Sequence, residues 1–588
     1  MNLQRLPEYL IRWIVTVCGI LLALMLARSA GDGNLGVVAG VFLSLAVILI
    51  VLRFKEKIWV LIPIFWTLSG QIPSLGLPFA ARDLVVLFVF IAFLTLKALK
   101  IVRRQTTFGS LEILASIMSI YVVISYIRNP VGVDALNSDR VGGRPYFNCF
   151  IAFLACWILR QTTLQPESAN RLAFTMTAGR MIEGVLAQFL KWFPILGGFF
   201  MLYYSCGFFG WAQGDNTTPI PGAESTERQG YLVAIGQPLL IYLCCAKSLK
   251  SYLNNTTIYW MLVLLVAACC VYLSGPSSPL PFLLGLLFII AELIYFYTKR
   301  HVSSFFWVSS FMVGISCVLL SGFRSALALS LGFFFLAEFV RYRWRGVISL
   351  AAVGAFILLI AVLGNGTFFS LPASAQRALS WLPGKWDTFA KLEASESTRW
   401  RTEMWKEMLT TDRYISNKVL GDGFGFSKRQ YETILTLQFL GAEGGTAGQE
   451  SFMITGSVHS GPVGAVRFGG YVGLLILLIL LFAMMLEAWR LIKRSFHTPY
   501  RLLTMVICIP AVIEPFFFIF VFGAYENSIP DSLYTLGMLR MLANSLAAYE
   551  REPVPAMSQV SPERRRLVPT PSSACSITSS VFSKGADE

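Results

Sequence analysis

Long apolar runs recur along almost the whole of this chain, and no other feature restricts its fold as strongly. We count roughly sixteen of them, each near the ~20 residues that an α-helix needs to cross the hydrocarbon of a bilayer. Their centres lie near residues 19, 45, 66, 90, 118, 154, 182, 238, 265, 288, 312, 332, 356, 480, 512 and 540. The sequence therefore predicts an all-α, polytopic α-helical membrane protein with roughly 12 to 16 transmembrane helices.

Composition supports a membrane protein and argues against two soluble classes. Of 588 residues, 55% are hydrophobic and 14% charged, with a mean hydropathy of +0.64, which is too apolar for a water-soluble core. The net charge of +15 would suggest nucleic-acid binding in a soluble domain, but most Lys and Arg stand in short clusters between apolar runs. Most of the 11 cysteines fall inside apolar runs without a CxxC spacing. We therefore expect no metal site, no disulfide framework and no cofactor.

The basic clusters predict the orientation of the chain, because Lys and Arg accumulate in cytoplasmic loops. With those clusters inside, three segments lie outside: residues 129–146, 199–230 and 364–469. We divide the chain into transmembrane helices over 1–300, helices carrying Arg324 over 301–365, a large outer loop over 366–469, C-terminal helices over 470–550 and a tail over 551–588. The tail is rich in Ser and Pro and is expected to be disordered on the cytoplasmic side.

One segment of the outer loop is patterned as an amphipathic helix. Its apolar residues follow helical spacing and form one stripe: Trp400, Met404, Trp405, Met408 and Leu409. Arg401 lies one turn before Trp405 and shares the buried flank, whereas Arg399 lies one turn before Glu403 and can form an exposed ion pair. Arg401 is therefore the arginine that we expect to face a ligand.

A glycine run follows this helix in the sequence LGDGFGF. Gly421, Gly423 and Gly425 can adopt positive φ and offer open backbone N–H groups to an anion. The alternative is a tight turn after a helix, which needs no ligand.

Two more residues combine charge with an outward position. Arg324, in LSGFRSALAL, stands at the outer end of a span among small residues, where it either binds an anion or simply reaches the interface. The chain has 3 histidines, and His301 and His497 sit beside cytoplasmic basic clusters. His459 is thus the one histidine expected to face outward, either as a functional group or as an ordinary loop residue.

Taken in order, LSGFRSALAL, RTEMW leading to LGDGFGF, and a histidine before a glycine-rich helix start resemble the O-antigen ligase / O-antigen polymerase superfamily of bacterial membrane enzymes. His459-Ser460, nine residues, Gly470, two residues and Gly473 fit the pattern of the ligase branch. These motifs cover about a quarter of the chain. The sequence departs from the family at Phe323, where a serine is usual, and in its larger number of predicted spans.

The resemblance implies transfer of a glycan from a polyprenyl diphosphate to an acceptor hydroxyl, a lipid or a glycan, on the periplasmic face of the bacterial inner membrane. It implies His459 as the general base and arginines in place of a metal on the diphosphate, for which we choose Arg324, Arg401 and, less centrally, Arg399. The supporting residues would be Trp405, Gly421, Gly423, Gly425, Ser460, Gly470 and Gly473.

Three alternatives stay open at this point. A polymerase or a protein O-oligosaccharyltransferase of the same superfamily would use a similar fold, although the Arg-x10-Gly pattern of polymerases is missing at Arg399, Arg401 and Arg413. A lipid-linked glycan flippase would perform no chemistry and would place charge within the bilayer. Arg180 and Glu183, one turn apart in an apolar segment, could be such charges or a structural ion pair.

Two geometric expectations follow. Arg324 and Arg401 should converge on one anion site, because a diphosphate bound without metal needs more than one cationic donor. Residues 461–469 should form a short re-entrant segment or loop that brings His459 to the membrane surface. Gly470 and Gly473 should let the next span pack closely at its outer end.

Overall fold

A computed structural model describes residues 55–68, 79–98, 109–131, 143–192, 230–247, 304–321, 323–371, 373–425 and 458–551, with 433, 436, 453, 454 and 456 between the last two ranges. Within these ranges the chain is helical and has no β-strand, so the predicted all-α membrane class is confirmed. Five of the described helices are long and apolar enough to cross a membrane. The predicted spans near 19, 45, 265 and 288 and the tail lie outside the described residues.

A 3-10 helix over Lys55–Val60 precedes fourteen α-helices in the described ranges. In chain order they are α1 Leu61–Phe65, α2 Ala81–Ala98, α3 Ser110–Arg128, α4 Arg144–Leu159, α5 Pro166–Trp192, α6 Gly230–Ala246, α7 Ser304–Leu320, α8 Arg324–Tyr342, α9 Trp344–Gly364, α10 Ala373–Leu379, α11 Thr388–Thr410, α12 Gly461–Ser495, α13 Arg501–Phe520 and α14 Tyr525–Arg551. The helices that meet the length and hydropathy of a span are α3, α8, α9, α12 and α13.

The span predicted near residue 66 is shorter than expected in the described residues. The 3-10 helix continues into α1, which ends at Phe65, and the Leu68 carbonyl accepts a hydrogen bond from the Arg82 N–H (2.9 Å) at the start of α2. Leu68 therefore already lies beside the first turn of α2. Gly179 of α5 packs on the backbone of Ile64, where a side chain would collide with its carbonyl.

The core of the bundle forms both between helices that follow each other in the chain and between helices far apart in sequence. α12 packs along α13, α14 packs along α4, and α6 lies against both α5 and α7. Fully buried aliphatic side chains fill these contacts, among them Ile158, Leu480, Leu503 and Leu536. The described cysteines lie buried or half-buried in these helices, which agrees with their positions inside apolar runs.

Helices α8 and α13 run antiparallel, and this fixes which residues share an end of the bundle. Gly332 in the middle of α8 packs against Ile513 of α13, while Arg501 at the start of α13 interacts with Arg341 near the end of α8. The first residue of α8, Arg324, therefore lies at the same end as the last residues of α13. We call this the His459 end, because the ring of Phe522, just beyond α13, contacts His459.

Two ion pairs tie helices together inside the bundle. Arg144 of α4 donates to Asp83 of α2 at 2.6 Å, with both side chains at most 1% exposed, and Asp83 also accepts from the Ala80 N–H (2.9 Å). Arg540 of α14 lies 2.6 Å from Glu112 of α3. Because a buried charge without its partner is costly, each pair fixes the relative position of two helices.

The outer loop predicted over 366–469 departs from expectation at its C-terminal boundary. It contains α10 and α11, but its last residues belong to α12, which begins at Gly461. The prediction of a loop over 461–469 is therefore wrong, since these nine residues form about two and a half helical turns ahead of a kink at Gly470 (φ 64°, ψ −176°), and the alternative of a re-entrant segment stays a prediction. Pro462 in the first turn favours this helix because its missing N–H has no helical partner there in any case.

Candidate active site at the His459 end

Helix α11 forms as predicted and buries its apolar stripe toward α12. Met404 and Met408 are 3% and 0% exposed, and Trp400 and Trp405 pack against them. Leu409 is the exception to the predicted stripe: it is 37% exposed, because one residue of helix rotates it about 100° away from Met408. The Trp405 indole N–H donates to the Val458 carbonyl (2.7 Å), which ties α11 to the residue before His459.

The two arginines of α11 differ as the spacing predicted. The Arg399 Nε lies 2.8 Å from Glu403 Oε1, and the two side chains are 81% and 64% exposed. Arg401 is half-buried, and its Nε atom is shielded from solvent. Arg399 is thus held in a solvated ion pair on the open face, whereas Arg401 lies on the flank that turns toward α12.

His459 adopts a backbone conformation that is uncommon for a residue with a side chain. Its φ is 53°, in the left-handed region. The imidazole lies beside the rings of Trp400 and Phe522, at centroid distances of 6.5 and 5.7 Å. Backbone strain of this kind persists where neighbouring structure holds it, and here two aromatic rings from different elements fix the imidazole.

Arg324 is the first residue of α8, as predicted, and Phe323 before it provides no side-chain cap. From the packed pair Gly332 and Ile513, eight residues lead back to Arg324 and seven lead on to Phe520, which at 1.5 Å per residue are roughly 12 and 10 Å. Arg324 and the end of α13 are therefore at nearly the same height. The convergence of Arg324 and Arg401 on one anion stays a prediction.

The glycine run has the predicted backbone but a different use. Gly421, Gly423 and Gly425 have φ of 71°, 81° and 77°. Of the two alternatives, an anion site and a tight turn, the hydrogen bonds favour the turn: the Gly421 N–H donates to the Asn417 carbonyl (2.7 Å) and the Gly423 N–H to the Phe468 carbonyl (2.9 Å). The run is structural at these two positions.

The loop that leads into the glycine run packs against the kink in α12. The Tyr471 and Val472 N–H groups donate to the carbonyls of Lys418 and Val419, at 2.9 and 3.1 Å, across the break at Gly470. A side chain on Gly470 would collide with the Val419 carbonyl. The predicted close packing of the glycines is therefore confirmed, although the neighbour of Gly470 is the loop.

Gly473 and Ser460 complete the surroundings of the kink. A side chain on Gly473 would collide with the Tyr525 hydroxyl at the start of α14. Ser460 precedes α12 in extended conformation, and its carbonyl accepts from the Gly464 N–H (3.0 Å), while its hydroxyl makes no capping hydrogen bond. Ser460 therefore starts the helix through its backbone.

A polar cleft beside the kink was not predicted from the sequence. Its volume is about 540 Å³, and three arginines and one aspartate line it: Arg128, Arg413, Arg467 and Asp422. Arg467 lies 2.8 Å from Asp422, and the two side chains are 13% and 19% exposed. The cleft draws on the end of α3, the loop after α11 and the first turns of α12, so no local motif could indicate it.

Within the described residues no group of three His, Cys, Asp or Glu side chains could hold a metal ion. No protein-family model matches the chain, and no curated protein matches it either.

Proposed function

We propose that this protein transfers a polyprenyl-diphosphate-linked glycan to an acceptor hydroxyl, without a metal, at the periplasmic face of a bacterial inner membrane. The observation that carries the proposal is the position of His459. Its imidazole contacts Trp400 and Phe522, next to the helix that bears Arg401 and at the end of the bundle where Arg324 begins α8. The resemblance to O-antigen ligases in the ordered motifs points to the same three residues.

The chemistry assigns each residue one task. His459 would accept the proton of the acceptor hydroxyl while its oxygen attacks the anomeric carbon of the glycan. The bond from that carbon to the diphosphate oxygen breaks, and the diphosphate leaves with the electron pair. Arg324 and Arg401 would stabilise the growing negative charge through paired N–H donors, which a lysine cannot supply.

The orientation is part of the proposal. Arg341, Arg494 and Arg501 lie at the opposite end of the bundle, which the positive-inside rule assigns to the cytoplasm. A Ser416→Cys variant should react with a membrane-impermeant thiol reagent in intact cells, whereas His497→Cys should react only after permeabilisation. Labelling in the reverse order would put the site on the wrong face for a lipid-linked donor.

The decisive experiment compares histidines at the two ends of the bundle. His459→Ala should reduce glycan transfer by the purified protein by roughly 10² to 10⁴, the usual contribution of a general base. His459→Gln should be nearly as poor, because the amide cannot accept the proton. His497→Ala, an exposed histidine at the opposite end, should transfer at the wild-type rate. Wild-type transfer by His459→Ala would refute the assignment.

A second candidate, a lipid-linked glycan flippase, is favoured by charges inside the bundle. Arg180 of α5 interacts with Asp531 and Tyr534 of α14, and these line a cavity of about 100 Å³ together with Glu514 of α13. The predicted partner Glu183 has a side chain outside the described part of the structure. Ionisable side chains within membrane helices often mark transport pathways.

The two candidates differ in their products. A transferase makes a new glycosidic bond in detergent solution, and Asp531→Asn should leave its rate within a few-fold of wild type if the cavity is structural. A flippase makes no new bond but moves labelled lipid-linked glycan across sealed vesicles, and there Asp531→Asn should stop the movement.

A further inference from the structure

Helix α9 presents most of its surface outside the bundle, and its length matches the thickness of a bilayer. Only 6% of its most apolar stretch is buried, the lowest share among the five helices of the described ranges that could span a membrane. Its 21 residues extend about 31 Å at 1.5 Å per residue, close to the ~30 Å of membrane hydrocarbon. The chain turns back at Arg343, and α9 packs along α8, so the last residue of α9, Gly364, lies at the His459 end. Gly364 therefore marks the level of one membrane surface.

The chain makes a tight turn directly after α9. The Phe368 N–H donates to the Gly364 carbonyl (2.9 Å). The Gly366 N–H, at a residue whose φ is 72°, donates to the Phe369 carbonyl (2.8 Å). These short-range hydrogen bonds keep Phe368 within about one helical turn of the end of the span.

A second loop returns to the same level 20 residues after the turn. Asn365, which is 2% exposed, joins the two: its side-chain amide donates to the Lys385 carbonyl (2.7 Å), and its side-chain oxygen accepts from the Leu371 N–H (2.9 Å). Gly384 packs next to Val362, which belongs to the last turn of α9. Residues 381–385 therefore lie beside the end of the span.

This folded segment buries some of its large side chains and leaves others outside. Leu379 and Trp386 are each 7% exposed, whereas Phe368 is 90% and Trp381 is 68% exposed. Trp381 precedes Gly384 by three residues, so at most about 10 Å of chain separates it from the end of α9. Large aromatic side chains at this level accumulate at membrane–water interfaces, where one part of the ring system is apolar and the other is wet.

We infer that residues 364–386 form a membrane-surface anchor, which inserts Phe368 and Trp381 among the lipid headgroups at the His459 end. Lipid is the partner that the surroundings favour, because the exposed apolar surface continues directly from the span. Leu359 and Leu363 of α9 are 53% and 62% exposed, and the exposed apolar face of a membrane helix meets acyl chains. The inference goes beyond the proposed function and holds for either side of the membrane.

The anchor also positions the helix that contacts His459. Thr388, the first residue of α11, follows the anchor by two residues, and the ring of Trp400 in α11 contacts the imidazole. From Thr388 to Trp400 the helix extends about 18 Å, so one continuous helix connects the anchor with the imidazole. A bilayer that holds the anchor therefore holds His459 at a fixed distance from its surface. Only the meaning of that distance for a lipid-linked donor rests on the proposed function.

Depth-dependent quenching tests the anchor, using the full chain in vesicles of phosphatidylethanolamine and phosphatidylglycerol. The emission of Trp381 is obtained as the difference between the spectra of wild type and Trp381→Phe. Lipids with a nitroxide near the headgroup end of the acyl chain should quench this emission at least about 2-fold more strongly than lipids labelled near the methyl end, because an interfacial indole lies close to the headgroups. Iodide in the water should quench it only weakly.

Two other tryptophans provide matched controls. The difference between wild type and Trp386→Phe reports a buried indole of the same segment, which should respond to neither quencher. The difference between wild type and Trp344→Phe reports an indole that is 68% exposed at the other end of α9, and it should show the interfacial pattern.

A second variant tests the same surface with every native tryptophan retained. Phe368→Trp adds an indole at an exposed position, so the variant should fold, and the added emission should follow the pattern of Trp381. Lys406→Trp adds an indole at an exposed position of α11, outside the anchor, and its added emission should be quenched more strongly by iodide than by the lipid nitroxides.

Two results would overturn the inference. Quenching of Trp381 and of Phe368→Trp by iodide alone would mean that the segment stands in water. Protection of both from iodide and from the lipid nitroxides would mean that protein, such as a second copy of the chain, covers them. No glycan transfer enters these measurements, so a protein without transfer activity would refute the proposed function and leave the quenching result standing.

Discussion

The charges between the helices and the charges at the His459 end are arranged in opposite ways. Asp83 is buried between two arginines, Arg144 at 2.6 Å and Arg82 at 3.5 Å, and all three side chains are at most 11% exposed. In the cleft at the His459 end, Arg467 pairs with Asp422 at 2.8 Å, and the exposed Arg128 and Arg413 line the same open space. A buried cluster of charges fixes helices to each other, whereas exposed arginines beside open space can meet a ligand.

The largest effect should come from breaking the pair of Arg144 with Asp83. Arg144→Met leaves the buried Asp83 with only the more distant guanidinium of Arg82, 3.5 Å away, which should lower the free energy of unfolding by about 3 kcal/mol. The midpoint of unfolding by SDS in mixed micelles would measure it. Asp83→Asn combined with Arg144→Met should recover part of the loss, and Arg490→Met, which breaks an exposed pair, should have little effect. An unchanged midpoint for Arg144→Met would show that this pair contributes nothing.

The next largest effect concerns the backbone that shapes the His459 end. Gly470 has φ 64° and ψ −176°, a conformation that is essentially restricted to glycine, and a methyl group there would meet the Val419 carbonyl. Gly470→Ala should therefore cost about 2 to 3 kcal/mol of unfolding free energy. Gly354→Ala is the matched control, because the space around that helical glycine is open. Equal midpoints for the two variants would mean that the kink is not under constraint.

A smaller effect distinguishes the two arginines of α11. Arg401→Lys should slow transfer about 10-fold, near 1.4 kcal/mol, because lysine cannot form the paired hydrogen bonds of a guanidinium. Arg399→Lys should stay within about twofold, since its exposed pair with Glu403 tolerates an ammonium group. Initial rates at saturating donor would compare them. If Arg399→Lys slowed transfer more than Arg401→Lys, Arg399 and not Arg401 would be the arginine that contacts the diphosphate.

The smallest effect tests a matched pair in solvent, at the end opposite His459. Arg494 donates to both oxygens of Glu550 (2.6 and 2.5 Å), which holds the pKa of that carboxyl below its usual range. A depressed pKa contributes stability above the unfolded value of about 4.3, and that contribution disappears as the pH falls through the folded value. Because both side chains are partly exposed, the contribution should be below about 1 kcal/mol.

The measurement compares wild type with Glu550→Gln from pH 7 down to pH 3. The difference in unfolding midpoint should be present at pH 7 and shrink below about pH 4.3. A difference that grows on acidification would have the wrong sign for a stabilised carboxylate.

The sequence predicted what depends on local spacing. Helical periodicity identified the stripe of α11, the solvated pair of Arg399 with Glu403 and the position of Arg324 at a helix start. The glycines at 421, 423 and 425 predicted the backbone of positive φ but not the hydrogen bonds of its N–H groups, because the acceptor of the Gly423 N–H, the Phe468 carbonyl, lies in α12.

What the sequence could not predict depends on tertiary contacts. Arg128 and Gly421, 293 residues apart, meet at the cleft. The helical start of α12 was predicted to be a short re-entrant segment or loop that brings His459 to the membrane surface, and the glycines within it were not assigned a role. Their actual role is close packing: Gly461 lies against the backbone of Phe518, where a side chain would collide. Opposite charges such as Asp83 and Arg144 stand in separate helices and follow no spacing rule.

The indole of Trp400 next to His459 also allows the protonation of the imidazole to be followed by fluorescence. Trp400 and His459 have ring centroids 6.5 Å apart, and a protonated imidazole quenches the fluorescence of a nearby indole, whereas a neutral one hardly does. The chain has 14 tryptophans, so the emission of Trp400 is obtained as the difference between the spectra of wild type and Trp400→Phe. The arrangement that holds the proposed base in place thus provides an intrinsic optical reporter of its proton.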